Sequence, residues 1–216
     1  YTSGSTGKPK GVLVENKSLT NYIISQSDYF NICEEDRFIL FSNYSFDASI
    51  EQLFLPLTNG GTLFIPSRET LLNPQSFMEY CGANQVTHLH AVPSFLTQLD
   101  WSGDFSFKRV ISAGDSFNLS LWKDLKGKVE LYNKYGPTET TISSLIHRLS
   151  NSSKYERQIP IGKPINGTHI LILNEKNQLQ PVGVVGEICT GGVGIARGYL
   201  NQTELTKEKF IPHPFE

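Results

Sequence analysis

The chain has 216 residues, 38% of them hydrophobic and 11% aromatic, and its 19 basic against 21 acidic residues leave a net charge of -2 at pH 7. That is enough chain for one core of ordinary size, while a near-even charge without a basic block gives no basis for nucleic-acid binding. No apolar run is long enough to span a membrane and no signal peptide opens the chain. Cys33, Cys81 and Cys189 are odd in number and too scattered for a metal knuckle, so reduced thiols in a cytoplasmic protein are expected.

The chain opens on Tyr1-Thr2-Ser3-Gly4-Ser5-Thr6-Gly7-Lys8-Pro9-Lys10-Gly11. Hydroxyls, glycines and lysines in such a run can wrap N–H and O–H groups around phosphate oxygens. The spacing is not that of a Walker loop, because Gly4 and Gly7 are too close and Pro9 stands where Ser or Thr should open a helix. A short strand is expected over residues 11–14, then a helix over 17–30 capped by Asn16, with Leu19, Tyr22, Ile23 and Phe30 on one face. Residues 37–41 read as a strand. The loop 43–49 leads into a second helix whose buried stripe should be Ile50, Leu53, Phe54 and Leu57, ended by Gly60-Gly61.

Strand and helix then alternate. Strands are expected over 62–65, 86–92, 109–112 and 129–132, and helices over 74–82, 93–99 and 119–125. This pattern argues for a helix-covered, mostly parallel sheet of the α/β class, with ligand loops at the carboxyl ends of the strands. Past residue 140 the texture changes to short strands at 142–148, 168–173 and 184–190, with helix returning at 203–210. A β-rich, barrel-like subdomain over residues 141–216 is therefore expected beside the α/β part over 1–140.

Two short stretches carry chemistry. Asn133-Lys134-Tyr135-Gly136-Pro137-Thr138-Glu139 follows a buried strand and reads as a ligand loop. Asn133 can donate and accept at a purine edge, Tyr135 can stack, Thr138 can meet a phosphate oxygen, and Glu139 offers hard oxygen to Mg²⁺. A tight turn with a capping Thr is the plainer reading. Asp47, between Phe46 and Ala48, is either a helix N-cap, a counter-ion for an ammonium group, or both.

With Phe46-Asp47-Ala48-Ser49 and the segment Gly186-Glu187-Ile188-Cys189-Thr190-Gly191-Gly192-Val193-Gly194-Ile195-Ala196-Arg197-Gly198-Tyr199-Leu200, these stretches run nearly end to end. In that order they resemble the adenylation domain of nonribosomal peptide synthetases, in the adenylate-forming superfamily. The resemblance implies an AMP-forming ligase that activates an amino acid with ATP and Mg²⁺ and passes it to a phosphopantetheine thiol on a peptidyl carrier domain. It implies that Thr2, Ser3, Gly4, Ser5, Thr6, Gly7 and Lys8 cradle the β- and γ-phosphates, with Thr6 and Lys8 catalytic. Thr138 would touch the α-phosphate, Glu139 would hold Mg²⁺, and Asn133, Tyr135 and Gly136 would fix the adenine against Gly114-Asp115. Asp47 would bind the substrate ammonium group.

The family's side-chain pocket falls on Ala48, Glu51, His90, Ile111, Ala113, Lys134, Ile142 and Ser143. Glu51, His90 and Lys134 in one small cavity would need to be paired or to meet a ligand, which favours a polar or charged substrate side chain. The 186–200 segment is read as mostly structural, Arg197 as a partner for a carboxylate of the same subdomain, and Lys10 as a solvated charge. The resemblance also implies that the chain is part of a larger subdomain, lacks the C-terminal subdomain, and would not turn over alone. A stand-alone acyl-CoA or D-alanine:carrier-protein ligase and a non-catalytic nucleotide-binding module are the alternatives.

Overall fold

The structure is a computed structural model that describes residues 1–2 and 9–215. The chain divides into two compact units that interleave in sequence. One comprises Tyr1–Ser25, Gly136–Ser144 and Pro164–Glu216, and the other Gln26–Tyr135 and Leu145–Lys163. Residues 136–144, around position 140, group with the opening residues and with 164–216.

Strands β1 (Arg37–Ile39), β2 (Thr62–Phe64), β3 (His88–Ala91), β4 (Arg109–Ser112), β5 (Glu130–Tyr135), β6 (Leu145–Arg148) and β7 (Lys163–Pro164) form one sheet in the order β2-β1-β3-β4-β5-β6-β7. Neighbours from β2 to β5 run parallel and β6 lies antiparallel on β5. The helices are α1 (Asn16–Phe30), α2 (Ala48–Thr58), α3 (Arg68–Leu72), α4 (Pro74–Ala83), α5 (Pro93–Leu96), α6 (Leu119–Leu125) and α7 (Thr203–Lys209). A separate antiparallel ribbon pairs β8 (Thr168–Leu173) with β9 (Glu187–Gly192). None of the helices among the described residues is long and apolar enough to cross a membrane.

Caps explain why several boundaries fall where the sequence puts them. The Asn73 side chain accepts a hydrogen bond from the Ser76 N–H with Pro74 at the first helical position, and Asn118 accepts from the Ser120 N–H. These satisfy helix-end donors that would otherwise lack partners.

The two faces of the sheet differ. Alternation along β3, β4 and β5 sends Leu89, Val110 and Leu131 to one side, where they join Phe77, Val86, Leu121, Trp122 and Leu125 in the apolar core. The other side receives His88, His90, Arg109, Ile111, Tyr132 and Lys134, in register across the strands. An apolar helix stripe has no partner on such a face, and α2 accordingly reverses the expected pattern. Its buried residues are Ser49, Glu51, Gln52, Leu55 and Pro56, while Phe54 and Leu57 are exposed. Two further expectations are corrected: residues 11–14 form only an isolated bridge, Val12 to Tyr199, and β5 continues through Asn133, Lys134 and Tyr135, which the sequence assigns to a loop.

Candidate active site

Because β1, β3, β4 and β5 are parallel, their carboxyl ends open on one edge of the sheet. From that edge the chain leads to Asp47 after β1, to Gly114-Asp115 after β4, and ends β5 at Tyr135. Gly114 takes φ +88°, which lets the backbone turn immediately beyond the strand. The Asp115 carboxylate accepts from the Ser116 N–H at 2.6 Å. Tyr135 is 41% exposed and offers an open ring. Asn133 is buried and its Nδ2 donates to the Pro160 carbonyl at 3.0 Å, so part of its hydrogen-bonding capacity is already committed within the fold.

Beneath this edge lies a buried ionic cluster. Lys134 Nζ meets Glu51 Oε1 at 2.8 Å, with side-chain exposures of 0% and 1%. His90 Nδ1 lies 3.5 Å from the same oxygen, close enough to interact electrostatically but not aligned as a hydrogen bond. Burial alone would raise the Glu51 carboxyl, but Lys134 and His90 outweigh it and hold it well below the usual carboxylate range. Burial lowers the Lys134 ammonium and Glu51 opposes that shift. Lys134 Nζ also stands 5.0 Å from the Phe30 ring centroid. Ile111 is fully buried beside His90 in the strand register. Three of the expected pocket residues are thus brought together, and pairing between two of them satisfies burial without a ligand.

Gln52, which the sequence reading missed, supports this arrangement. Its Oε1 accepts from the N–H groups of Phe41 and Ser42 at 2.9 Å, and its Nε2 donates to the His90 carbonyl at 3.0 Å. It thereby ties α2 to the ends of β1 and β3. The signal available was a Gln one residue past Glu51 in a mostly apolar helix. Asp47 occupies the N-cap position with φ -63° and ψ -29°, and its side chain makes no capping hydrogen bond to the helix. Ala48 opens α2 and Ala113 follows β4, both half-buried.

The other unit carries the remaining expected residues. Thr2 and Lys10 exchange backbone hydrogen bonds of 3.0 and 2.9 Å. Ser3, Gly4, Ser5, Thr6, Gly7 and Lys8 lie outside the described residues. Gly136 is required sterically: a Cβ there would stand 2.5 Å from the Ser144 backbone nitrogen. Thr138 and Glu139 sit on a 3-10 turn, Thr138–Thr140. The chain then takes positive φ at Thr141 (63°) and Ile142 (70°), and the Ser143 N–H donates to the Thr141 carbonyl at 2.9 Å. A β-branched residue at such a φ is strained by about 1–3 kcal/mol and persists where surrounding contacts impose it. Here the Thr141 hydroxyl donates to the Gly194 carbonyl at 2.6 Å, and Ile142 and Ser143 are buried.

Glu139 is held from the same segment. The Tyr199 hydroxyl donates to its Oε1 at 2.6 Å, and its carbonyl accepts from the Ala196 N–H at 2.9 Å. Burial, then the Glu139 carboxylate, push the Tyr199 phenol up, keeping it protonated as a donor. Lys10 is half-buried, with Nζ 4.5 Å from the Tyr199 ring centroid. Arg197 Nε pairs with Glu15 Oε1 at 2.6 Å, so its partner comes from the opening residues and not from the 141–216 segment in which one is expected. No cationic side chain among the described residues pairs with Glu139, and none of their acidic, His or Cys side chains form a group of three that could hold a metal. A single half-buried carboxylate of this kind fits Mg²⁺ that takes its other oxygens from phosphates and water.

Residues 1–200 match the family model for the AMP-binding enzyme. The chain is 42% identical over 215 residues to tyrocidine synthase 1 of Brevibacillus parabrevis and 38% identical over 215 residues to gramicidin S synthase 1 of Brevibacillus brevis. Each alignment covers 100% of this chain but only 20% of the relative. Among solved structures, the nonribosomal peptide synthetase FmoA3 superposes with a TM-score of 0.89 at 29% identity, over 96% of this chain and 23% of that one. A four-domain nonribosomal peptide synthetase bound to AMP and glycine gives 0.87 at 33% identity, over 96% and 16%. The Klebsiella oxytoca NpsA N-terminal subdomain, in complex with 3-hydroxybenzoyl-AMSN, gives 0.85 at 26%, over 100% and 56%. The chain belongs to the AMP-binding enzyme family.

Proposed function

We propose that the intact natural protein adenylates an amino acid. A carboxylate oxygen of the amino acid attacks the α-phosphorus of ATP, the bond to the bridging oxygen of pyrophosphate breaks, and aminoacyl-AMP and pyrophosphate form. In a second step the phosphopantetheine thiol of a carrier domain loses its proton and forms a thioester as AMP leaves. The observation that carries an amino acid rather than a simple acid is the placement of Asp47, a carboxylate at the start of α2 on the carboxyl edge of the sheet. A carboxylate so placed suits a substrate ammonium group. Similarity to a synthetase bound to AMP and glycine supports the same reading.

Catalysis of this kind rests on positioning and on neutralising phosphate charge. In this reading Thr2, Ser3, Gly4, Ser5, Thr6, Gly7 and Lys8 cradle the outer phosphates, Thr138 meets the α-phosphate, and Tyr135 stacks on the adenine, with Asn133, Gly136, Gly114 and Asp115 framing it. Ala48, Glu51, His90, Ile111, Ala113, Lys134, Ile142 and Ser143, the family's specificity positions, would select the amino acid side chain. Glu139 would hold Mg²⁺, which when bound would supply positive charge to offset that of the phosphates. Amino-acid-dependent ATP–pyrophosphate exchange by the intact protein, run across a panel of amino acids and simple acids, tests the reading. Exchange with an amino acid and none with its deaminated analogue is expected; exchange driven equally by simple acids would refute it.

A further inference from the structure

The glycine-rich segment after β9 brings one side chain to the nucleotide motif. Tyr199 is buried, and its hydroxyl donates to Glu139 Oε1 at 2.6 Å. The ring is fixed from several directions. Its own backbone N–H donates to Thr206 Oγ1 at 2.9 Å, the Phe210 ring meets it edge-on at 5.5 Å, and Val12 bridges it through the backbone. Lys10, at the downstream end of the opening motif, lies over its face at 4.5 Å. The turn that carries Glu139 is anchored to the same segment through the Ala196 N–H and the Gly194 carbonyl. A short hydrogen bond to one oxygen of a carboxylate fixes its rotamer and leaves the second oxygen available.

We propose that Tyr199 is a positioning residue: its hydroxyl orients the Glu139 carboxylate for a nucleotide-bound divalent cation, and the cation–ring contact links Lys10 to the same group. The inference rests on the metal-holding role proposed for Glu139. Groups one step removed from a metal commonly govern its affinity by about 10–100-fold through such hydrogen bonds. The substitution Tyr199→Phe keeps the ring and its packing contacts and removes only the donor.

The test is Mn²⁺ binding to the intact protein in the presence of a non-hydrolysable ATP analogue, followed by loss of the free-Mn²⁺ electron paramagnetic resonance signal. Tyr199→Phe should weaken nucleotide-dependent Mn²⁺ binding roughly tenfold, leave metal-free nucleotide binding and the melting temperature as in the wild type, and add nothing in a Glu139→Gln background. Mn²⁺ binding within twofold of wild type would overturn the inference. So would a parallel fall in Tm and metal-free nucleotide binding, an additive effect on Glu139→Gln, or no nucleotide-dependent Mn²⁺ binding in the wild type. Exchange with every simple acid would defeat the amino acid reading yet leave the Mn²⁺ result, and hence the positioning role, standing.

Discussion

Lys134 brings a full positive charge to a position with no exposed side-chain surface, and Glu51 answers it at 2.8 Å from a residue 83 positions away. Removing one member strands the other charge, whereas replacing both by apolar groups of similar volume removes the desolvation penalty together with the attraction. Lys134→Met is therefore expected to destabilise the unit containing β3 to β5 by about 3–5 kcal/mol, and Glu51→Met with Lys134→Met to recover most of that. Urea unfolding followed by tryptophan fluorescence reads this unit, since Trp101 and Trp122 both lie in its core. A double variant no more stable than Lys134→Met would refute the pairing. Asp47→Ala tests a different role: kcat/KM for the amino acid should fall by about 2 kcal/mol or more, roughly thirtyfold. ATP binding and unfolding should stay near wild type, and an equal loss of both would return Asp47 to a helix-end role. The family resemblance places Glu51, His90 and Lys134 in one space and requires that they be paired or meet a ligand. Pairing of Glu51 with Lys134 was one of the two ways open, but a contact across that separation leaves no local pattern that selects it over a ligand. The case for a polar substrate side chain weakens accordingly.

At the scale of elements, the strands and helices bounded by caps and turn residues were legible, and α2 was legible as a helix but not in its orientation. Hydrophobic periodicity assumes that an apolar stripe meets an apolar partner. The sheet face beneath α2 carries His90 and Lys134, so the polar stripe turns inward and Phe54 and Leu57 remain exposed. The mutational pattern should invert the one that periodicity implies. Gln52→Ala leaves the Phe41 and Ser42 N–H groups and the His90 carbonyl without their partner, and unsatisfied buried groups cost about 1–3 kcal/mol each. Phe54→Ser in the same chain should change stability by about 0.5 kcal/mol or less. Greater sensitivity at Phe54 than at Gln52 in parallel urea titrations would contradict the orientation of α2. The Thr141-Ile142 turn escaped sequence reading for a related reason. Two β-branched residues favour extended backbone, and only the bond from Thr141 to the distant Gly194 carbonyl reveals what holds them at positive φ.

Over the whole molecule, a sheet with one apolar and one polar face makes stability depend on pH through His88. This ring is 2% exposed, stacks on Phe38 at 4.1 Å and meets Phe30 edge-on at 5.4 Å, and neither nitrogen has a hydrogen-bond partner among the described residues. Burial pushes its pKa well below the ordinary 6.5, with Glu51 opposing and Arg109, Lys134 and His90 reinforcing the shift. The folded state therefore keeps His88 neutral in a pH range where the unfolded chain binds a proton there. Stability rises with pH wherever the unfolded state holds more protons. As pH drops below about 6.5, the His88 contribution should be lost at up to about 1.4 kcal/mol per pH unit. Glu51, whose folded pKa is depressed, adds its own loss only as pH falls through the carboxylate range, below about 4.3. Between pH 6.5 and 5 the slope is thus dominated by buried histidine, with His147, lowered by partial burial, as a weaker contributor. His88→Phe retains the aromatic packing and removes the titration. Any cost of the larger ring is the same at each pH and cancels from the slope. Urea unfolding at pH 7.5, 6.5 and 5.5 should show wild type losing about 1 kcal/mol more than His88→Phe between the last two points. Parallel curves for the two proteins would mean that His88 accepts its proton in the folded state, and that the polar face of the sheet is wetter than the burial of Lys134 and Glu51 implies.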